Sequence, residues 1–563
     1  MAKSGKHRIL YNKKTSHKLL HQGIYRDMTM KPFNILIVLI TLLVSTSFAS
    51  ANEHYIKFNI NDKSELDSLT RVISIDNVDG LTVYAYASDS ELAAFETLGY
   101  EYEILPHPGS LITAKSTSDP KALTDWDVYP THSAYVAMMY QFATDYPDLC
   151  QIYDIGSTVQ GKPILFAKIS DSVAIEEDEP EVMYTSTMHG DETVGFINCL
   201  RLIDSLLTAY GTDSMVTRLV DSCEIWINPN ANPDGSYGTN DLLYSPTRYN
   251  ANGYDLNRNF ADPDDGSNPG GTHQPETIAF MDFPADHSFV ISANFHGGAE
   301  VVNYPWDTWS RMPTDVNWFI HISREYADSA QYYNSYLEYM DGFDNGITNG
   351  YDWYPISGGR QDFMNYWYHC REITIELSNT KMVSAVNLPT YWYYNRASMF
   401  NFLEQGLYGI RGVVTDVETG NPLYAMIRVL DYDSDDDSSM VYTDPDVGDY
   451  HRLIEPGTYD IEISCEPDYY PDTIYDLTVN YNMAVRADIA LTPIPEYICG
   501  DANGDETFNI ADVSAIINYI FFGGLVPDPL ASANANGDES VNIADGSYMI
   551  NSIFFGGPDP ICE

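Results

Sequence analysis

Basic residues are scarce: 29 Lys and Arg stand against 81 Asp and Glu, a formal charge of -52 at pH 7. That balance argues against nucleic acid as a partner, because phosphate recognition needs clustered cations. Cysteine is also sparse, seven in 563 residues, and widely spaced, unlike the close pairs that hold structural zinc. An odd number leaves at least one thiol unpaired if all bonds are internal, and Cys499 and Cys562, which bracket the last segment, are the pair expected to bond. After residue 52 no apolar run is long enough to span a bilayer. Apolar content is ordinary at 44% and tyrosine is plentiful at 44 residues, so the chain folds, and its length calls for several domains.

The first residues reverse the charge trend. A basic stretch leads into "FNILIVLITLLVSTSF" and the small-residue pattern Ala49-Ser50-Ala51. Residues 1–51 read as a signal peptide, its start at Met28 or Met30, which sends the protein to an extracellular or cell-surface location. A retained anchor is the alternative.

Four segments follow. Residues 52–120 hold alternating stretches around the helical "DSELAAFETLGYEYEIL", then a Pro/Gly/Ser/Thr-rich linker; the expectation is a small α/β unit, either a cleavable prosegment or a permanent docking domain. Residues 121–406 alternate strand-like and amphipathic helical runs, which predicts an α/β domain with a mixed central sheet flanked by helices. Residues 407–495 lose helical periodicity, and "PGTYDIEISC" puts Tyr459, Ile461 and Ile463 on one face, giving an all-β sandwich. Residues 496–563 repeat: "DANGDETFNIADVSAIINYIFFGG" against "NANGDESVNIADGSYMINSIFFGG", each copy a loop of Asp and Asn before a helix.

"TSTMHGDETVGF" runs from a strand into a helix whose apolar face is Phe196, Leu200, Ile203 and Leu207. It places His189 and Glu192 at a strand end, the edge where open α/β sheets bind ligands. On its own an H-x-x-E pair is as readily a polar loop in so acidic a chain. A catalytic zinc takes three protein ligands, the third commonly from far along the chain, and His296, followed by Gly297 and Gly298, is a distant candidate. "RYNANGYDLNRNF" groups Arg248, Asn257 and Arg258, whose donors suit a carboxylate. "EITIELS" sets Ile373, Ile375 and Leu377 on one face and Thr374, Glu376 and Ser378 on the other, and a carboxylate there suits a general base.

Together with "NPDG" at Asn232 to Gly235 and "PETIAF", these motifs stand in the order and context of the zinc carboxypeptidase family, over roughly residues 126–405, and the chain resembles its regulatory, carboxypeptidase N/E-like branch. The resemblance implies His189, Glu192 and His296 as ligands of one Zn²⁺, Asp255 as the carboxylate orienting His189, Glu376 as general base and Arg248 as the cation on the scissile carbonyl. It also implies that Asn257 and Arg258 grip the terminal carboxylate of a peptide or protein substrate, with Tyr354 closing over it and Tyr304 in the cleft. In that branch an Asp eleven residues after the last ligand selects Lys and Arg, a position held here by Asp307, while Gln361 replaces a pocket Asp of the digestive enzymes. The sandwich resembles the branch's transthyretin-like domain.

In the tail, Asp501, Asn503, Asp505, Thr507 and Asp512 fall at the oxygen-ligand positions of a calcium loop, and Asn534, Asn536, Asp538 and Asp545 repeat the pattern, so one or two Ca²⁺ are expected. The repeat resembles dockerin modules, which implies a cohesin-like or cell-surface partner. It departs from them at Glu506 and Glu539, where Gly is usual, at Asn534, and at Ile510-Ala511 and Ile543-Ala544 in place of contacting hydroxyls. Two other readings of the whole stay open: a peptidase acting on diamino acids of cell-wall peptides, and an inactive binding protein on the same fold.

Overall fold

The structure, a computed structural model, describes residues 52–119, 125–335, 338–495, 497–538 and 540–562. The signal-peptide reading of residues 1–51 lies outside them. Among the described residues no helix is long and apolar enough to cross a membrane.

Strands β1 (Glu53–Asn59), β2 (Ser74–Asp79), β3 (Thr82–Ser88) and β4 (Tyr102–Leu105) form an antiparallel sheet ordered β2-β3-β1-β4. Its alternation buries Ile56, Phe58, Val83 and Ala85 beneath Phe95 of helix α1 (Asp89–Glu96). Ser88 caps that helix, accepting from Glu91 N–H while the Glu91 carboxylate accepts from Ser88 N–H. The helical stretch expected over residues 89–105 is therefore shorter than its pattern: Gly99 turns the chain at φ +80°, and Tyr102–Leu105 pairs with β1 instead.

After the short parallel pair β5 (Ser116–Thr117) and β6 (Tyr129–Pro130) comes the main sheet. It contains β7 (Cys150–Ser157), β8 (Pro163–Ile169), β9 (Glu181–Ser186), β10 (Glu224–Asn228), β11 (Phe289–His296), β12 (Glu300–Tyr304), β13 (Ile347–Asn349) and β14 (Arg371–Leu377). The order is β13-β12-β14-β11-β9-β10-β8-β7, with β14, β11, β9 and β10 mutually parallel and β12, β8 and β7 antiparallel to their neighbours toward the centre. Val182, Tyr184, Ile225, Ile227, Ile373 and Ile375 pack under helices α2 (Val194–Ala209), α3 (Val316–Tyr333) and α5 (Leu388–Gln405). Met183, Trp226 and Phe166 face the other way, toward Phe280 and toward Phe363 of α4 (Arg360–Trp367). Both faces of the central strands are buried, and the polar residues they carry, Ser292 and Asn294 on β11 and Glu372, Thr374 and Glu376 on β14, are buried with them.

The next segment has two sheets around one core of Ile410, Val414, Ile427, Val429, Ile461 and Ile463. One contains β15 (Gly409–Asp416), β18 (Asp449–Arg452), β21 (Ala484–Arg486) and β22 (Ile489–Leu491); the other contains β16 (Met426–Val429), β17 (Val441–Tyr442), β19 (Gly457–Ser464) and β20 (Asp472–Val479). A buried ion cluster joins this sandwich to the main sheet: Asp315 takes Arg371 at 2.7 Å and Arg452 at 2.8 Å, and Arg452 also reaches Asp433 at 2.6 Å. The tail packs α6 (Ile510–Phe522) on α7 (Ile543–Phe555) through Val513, Ile516 and Met549. Cys499 and Cys562 are disulfide-bonded, and the other five cysteines are free.

Candidate active site

The carboxyl ends of the parallel strands β9, β11 and β14 meet at one edge of the sheet. His296 ends β11 and lies in register with Glu376 on β14; His189 and Glu192 occupy the turn from β9 into α2. All four side chains are buried. His189 Nδ1 and His296 Nδ1 are 3.1 Å apart, and the Glu192 oxygens lie 2.9 Å from the first and 2.8 Å from the second. The other ring nitrogens are held from behind, His189 Nε2 by Asp255 Oδ1 at 3.0 Å and His296 Nε2 by the Asn294 amide at 2.8 Å. Two imidazoles and a carboxylate within 4.8 Å of one another, aimed at a common point and backed by further hydrogen bonds, are a donor set that fits zinc.

Glu376 faces this cluster with Oε2 buried and lacking a hydrogen-bond partner. Burial and the neighbouring Glu192 carboxylate push its carboxyl up to about 8. Thr374 and Glu376 face the cavity while Ile373 and Ile375 lie in the core, the division that alternation along the strand requires.

Arg248 donates Nε to Asp255 at 3.0 Å and Nη1 to Glu192 at 3.2 Å. Asn257 and Arg258 sit on a short turn whose first N–H groups are turned toward Asp255, Asn257 N–H donating to Asp255 Oδ1 at 2.8 Å. Asp307 lies beyond them, buried, with Oδ1 accepting from Asn303 at 3.0 Å and Gln361 at 3.2 Å. Asn303 Oδ1 and Gln361 Oε1 have no donor. A Cβ on Gly350 would stand 1.8 Å from Asp307 Oδ1, so only glycine leaves this carboxylate its space. Burial pushes Asp307 up to about 6. Tyr304, expected in the cleft, is instead packed in the main core beside β13 and does not line the cavity.

Several groups here were missed in the sequence. Lys381, five residues after Glu376, donates to Glu192 Oε1 at 2.8 Å and to the Gly297 carbonyl. Strand β2 enters the cleft from the first unit: Ser74 Oγ bonds Asp255 and accepts from Arg248 Nε, the Ile75 carbonyl accepts from Arg258 Nη2 at 3.0 Å, and Asp76 pairs with Lys381 and with Arg248 at 3.4 Å. The Tyr354 hydroxyl reaches the Asp76 carbonyl at 3.4 Å. What remains is a cavity of about 20 Å³ lined by Asp76, His189, Arg248, Arg258, Asp307 and Glu376 among others, room for about one water.

In the tail, Asp501, Asp505 and Asp512 bring carboxylate oxygens within 4.8 Å of one another. Glu506 takes the turn at φ +61°, left-handed geometry that costs a non-glycine residue about 1 kcal/mol. The second loop repeats the scaffold, with Asn536 Nδ2 donating to Asp538 at 3.0 Å and Asp545 accepting from Asn536 N–H at 3.2 Å, around Asn534 rather than an aspartate. The Thr507 carbonyl accepts from Asn509 Nδ2 at 3.3 Å.

The family profile described as "Zinc carboxypeptidase" matches residues 135–398, and that of the dockerin type I domain matches residues 499–554. Carboxypeptidase M of Mus musculus is 37% identical over 342 residues, covering 58% of this chain and 76% of that protein. Carboxypeptidase D of Rattus norvegicus is 38% identical over 369 residues, 62% of this chain, which thus spans 26% of that longer relative. A carboxypeptidase A structure from Helicoverpa armigera aligns with 64% of this chain and 98% of its own at a TM-score of 0.51 and 18% identity, a likeness of fold. By sequence, fold and the order of its motifs, the chain belongs to the zinc carboxypeptidase family.

Proposed function

We propose that the protein is an exported zinc-dependent carboxypeptidase that releases Lys or Arg from peptide C-termini and is held latent by its own first unit. The observation that carries this is the pair of buried imidazole nitrogens 3.1 Å apart, bracketed by the two oxygens of Glu192, with the unpartnered Glu376 oxygen facing them. Zinc held by His189, Glu192 and His296 supplies Lewis acidity, drawing electron density from a carbonyl and acidifying water. Asn257 and Arg258 donate to the terminal carboxylate, a group that internal peptide bonds lack, and Tyr354 closes over the bound residue. Glu376 accepts the proton of the attacking water as the C–O bond forms, and Arg248 donates to the carbonyl oxygen as charge develops there. The proton then passes from Glu376 to the departing amine as the C–N bond breaks.

The pocket around Asp307 supports basic specificity. A carboxylate and two orphaned amide oxygens form a site of acceptors that a guanidinium or ammonium satisfies and a neutral side chain leaves unpaired. Asp307→Asn is expected to lower the preference for Arg over Phe by about a hundredfold. Because burial raises the Asp307 carboxyl to about 6, the carboxylate is lost as pH falls through that value. The Arg/Phe ratio of kcat/KM therefore grows as pH rises from about 5 to about 7. Blocked dipeptides ending in Arg, Phe or diaminopimelate, assayed with metal analysis after cleavage of the linker, test the whole reading: faster release of Phe rejects the role of Asp307, and zinc binding without release of any residue rejects catalysis.

The tail is proposed to bind Ca²⁺, the first loop more tightly than the second, and to dock a cohesin-like partner; the sandwich is proposed as the transthyretin-like companion of the catalytic domain. Calorimetry of the intact protein is expected to show the tail transition stabilised by about 2.7 kcal/mol at calcium a hundredfold above the Kd of the first loop, and Asp512→Ala is expected to remove most of the shift. A tail transition indifferent to calcium rejects the site.

A further inference from the structure

The catalytic scheme leaves one cation without a task. Lys381 is 6% exposed and sits on the metal-ligand side of the cleft, away from the Asp307 pocket. Its ammonium is held by Glu192 Oε1, by the Gly297 carbonyl and by the Asp76 carboxylate. Space is kept for it: Gly298 has φ +130°, and a Cβ there would stand 2.3 Å from Lys381 Nζ. A buried ammonium costs several kcal/mol unless it is paired. With a dication at His189, Glu192 and His296, the charge of Glu192 is shared with that ion, and of the two carboxylates in direct contact with Lys381 only Asp76 is left unshared, Glu376 facing it without an ion pair. Asp76 also lies 3.4 Å from Arg248 Nη1 and accepts from the Tyr55 hydroxyl at 3.0 Å.

Residues 74–76 thus cross the cleft in the direction opposite to a substrate, and only the placing of their polar groups matches it. The Ile75 carbonyl is on Arg258, on the side that takes the released residue, and the Asp76 carboxylate is on Lys381 and Arg248, across the scissile centre. Resting on the carboxypeptidase reading, we propose that Lys381 and Arg248 form a subsite for an acidic side chain on the residue preceding the one released, and that Asp76 occupies it in the intact chain. The enzyme then favours C-termini ending in Asp or Glu followed by Lys or Arg. When Asp76 departs, the substrate's own carboxylate takes its place on Lys381.

The test compares benzoyl-Glu-Arg with benzoyl-Gln-Arg, equal in shape and different in charge. The zinc-loaded full chain, cut in the linker, is expected to favour Glu by about tenfold in kcat/KM at low salt, with the ratio falling as salt rises. Lys381→Met brings the ratio to about one, and Lys381→Arg restores most of it, which a merely structural lysine would not do. Zinc content and melting temperature identify variants that fail to fold. The same ratio read as Kd by calorimetry on the Glu376→Gln background requires no turnover. Equal Kd values for the two peptides, or a preference unchanged in Lys381→Met, overturn the subsite. A Lys381-dependent preference in Kd with no hydrolysis of either peptide by the native protein overturns the catalytic reading and leaves the subsite standing.

Discussion

Replacing Glu376 with Gln is expected to lower kcat by about a thousandfold, the middle of the range for loss of a positioned general base, while zinc stays bound. The expectation follows from placement. Glu376 stands directly opposite His296 in the register of two parallel strands, yet its Oε2 has no hydrogen-bond partner; the amide keeps its shape, removes the proton acceptor and leaves the donor triad alone. Burial and Glu192 already make ionisation costly here, so a neutral isostere is expected to fold at least as well as the parent. Metal analysis beside kcat separates the two effects. Zinc lost together with activity would make Glu376 part of the metal site, and activity retained would move the base elsewhere.

Cutting the chain between the first unit and the catalytic domain is expected to raise activity by about a hundredfold or more. Strand β2 places Ser74 on Asp255 and Arg248, the Ile75 carbonyl on Arg258 and Asp76 on Lys381 and Arg248, so groups assigned to substrate are already engaged. Glu53 adds two contacts to Arg248 N–H at 3.1 and 3.2 Å, and the Tyr86 hydroxyl donates to Asp191 at 2.8 Å. Hydrogen bonds to charged groups contribute about 1.5–3 kcal/mol each, and two of them suffice for a hundredfold bias at 1.4 kcal/mol per factor of ten. Asp76→Asn in the uncut chain removes one such charge and is expected to give part of the rise, about tenfold. Equal rates before and after cutting, measured with arginine-ended dipeptide once the cut sample has been diluted to constant activity, would return the first unit to the role of a permanent docking domain.

The juxtaposition of His189, Glu192, His296 and Glu376 was legible because its signals are local or ordered. His189 and Glu192 share one turn, the alternation of Ile373, Ile375 and Leu377 fixes which way Glu376 points, and the motifs keep their sequence order. The repeat in the tail announced its loops in the same way. What could not be read was whatever depends on pairing between distant segments. Asp76 lies 172 residues from the Arg248 it touches, on a strand whose pattern says only that one face is apolar. Lys381 follows "ELSNT" as a solitary cation, and nothing nearby says that Gly298 leaves room for it. Tyr304 was misplaced for a related reason, since a residue at a strand end serves core or cleft according to what packs on its face, here the main core. The stretch 89–105 misled because its apolar spacing continues across Gly99 while the backbone does not.

The first unit does more than plug polar groups. Its core continues into Ala299, Val301, Trp353, Tyr354 and Ile356 of the catalytic domain, so the two share an oily seam that severing the linker leaves untouched. Scission turns a tethered contact into an encounter between two separate pieces, whose grip depends on how crowded they are. A freshly nicked sample should therefore wake slowly, stay drowsy when concentrated and become fully alert on dilution.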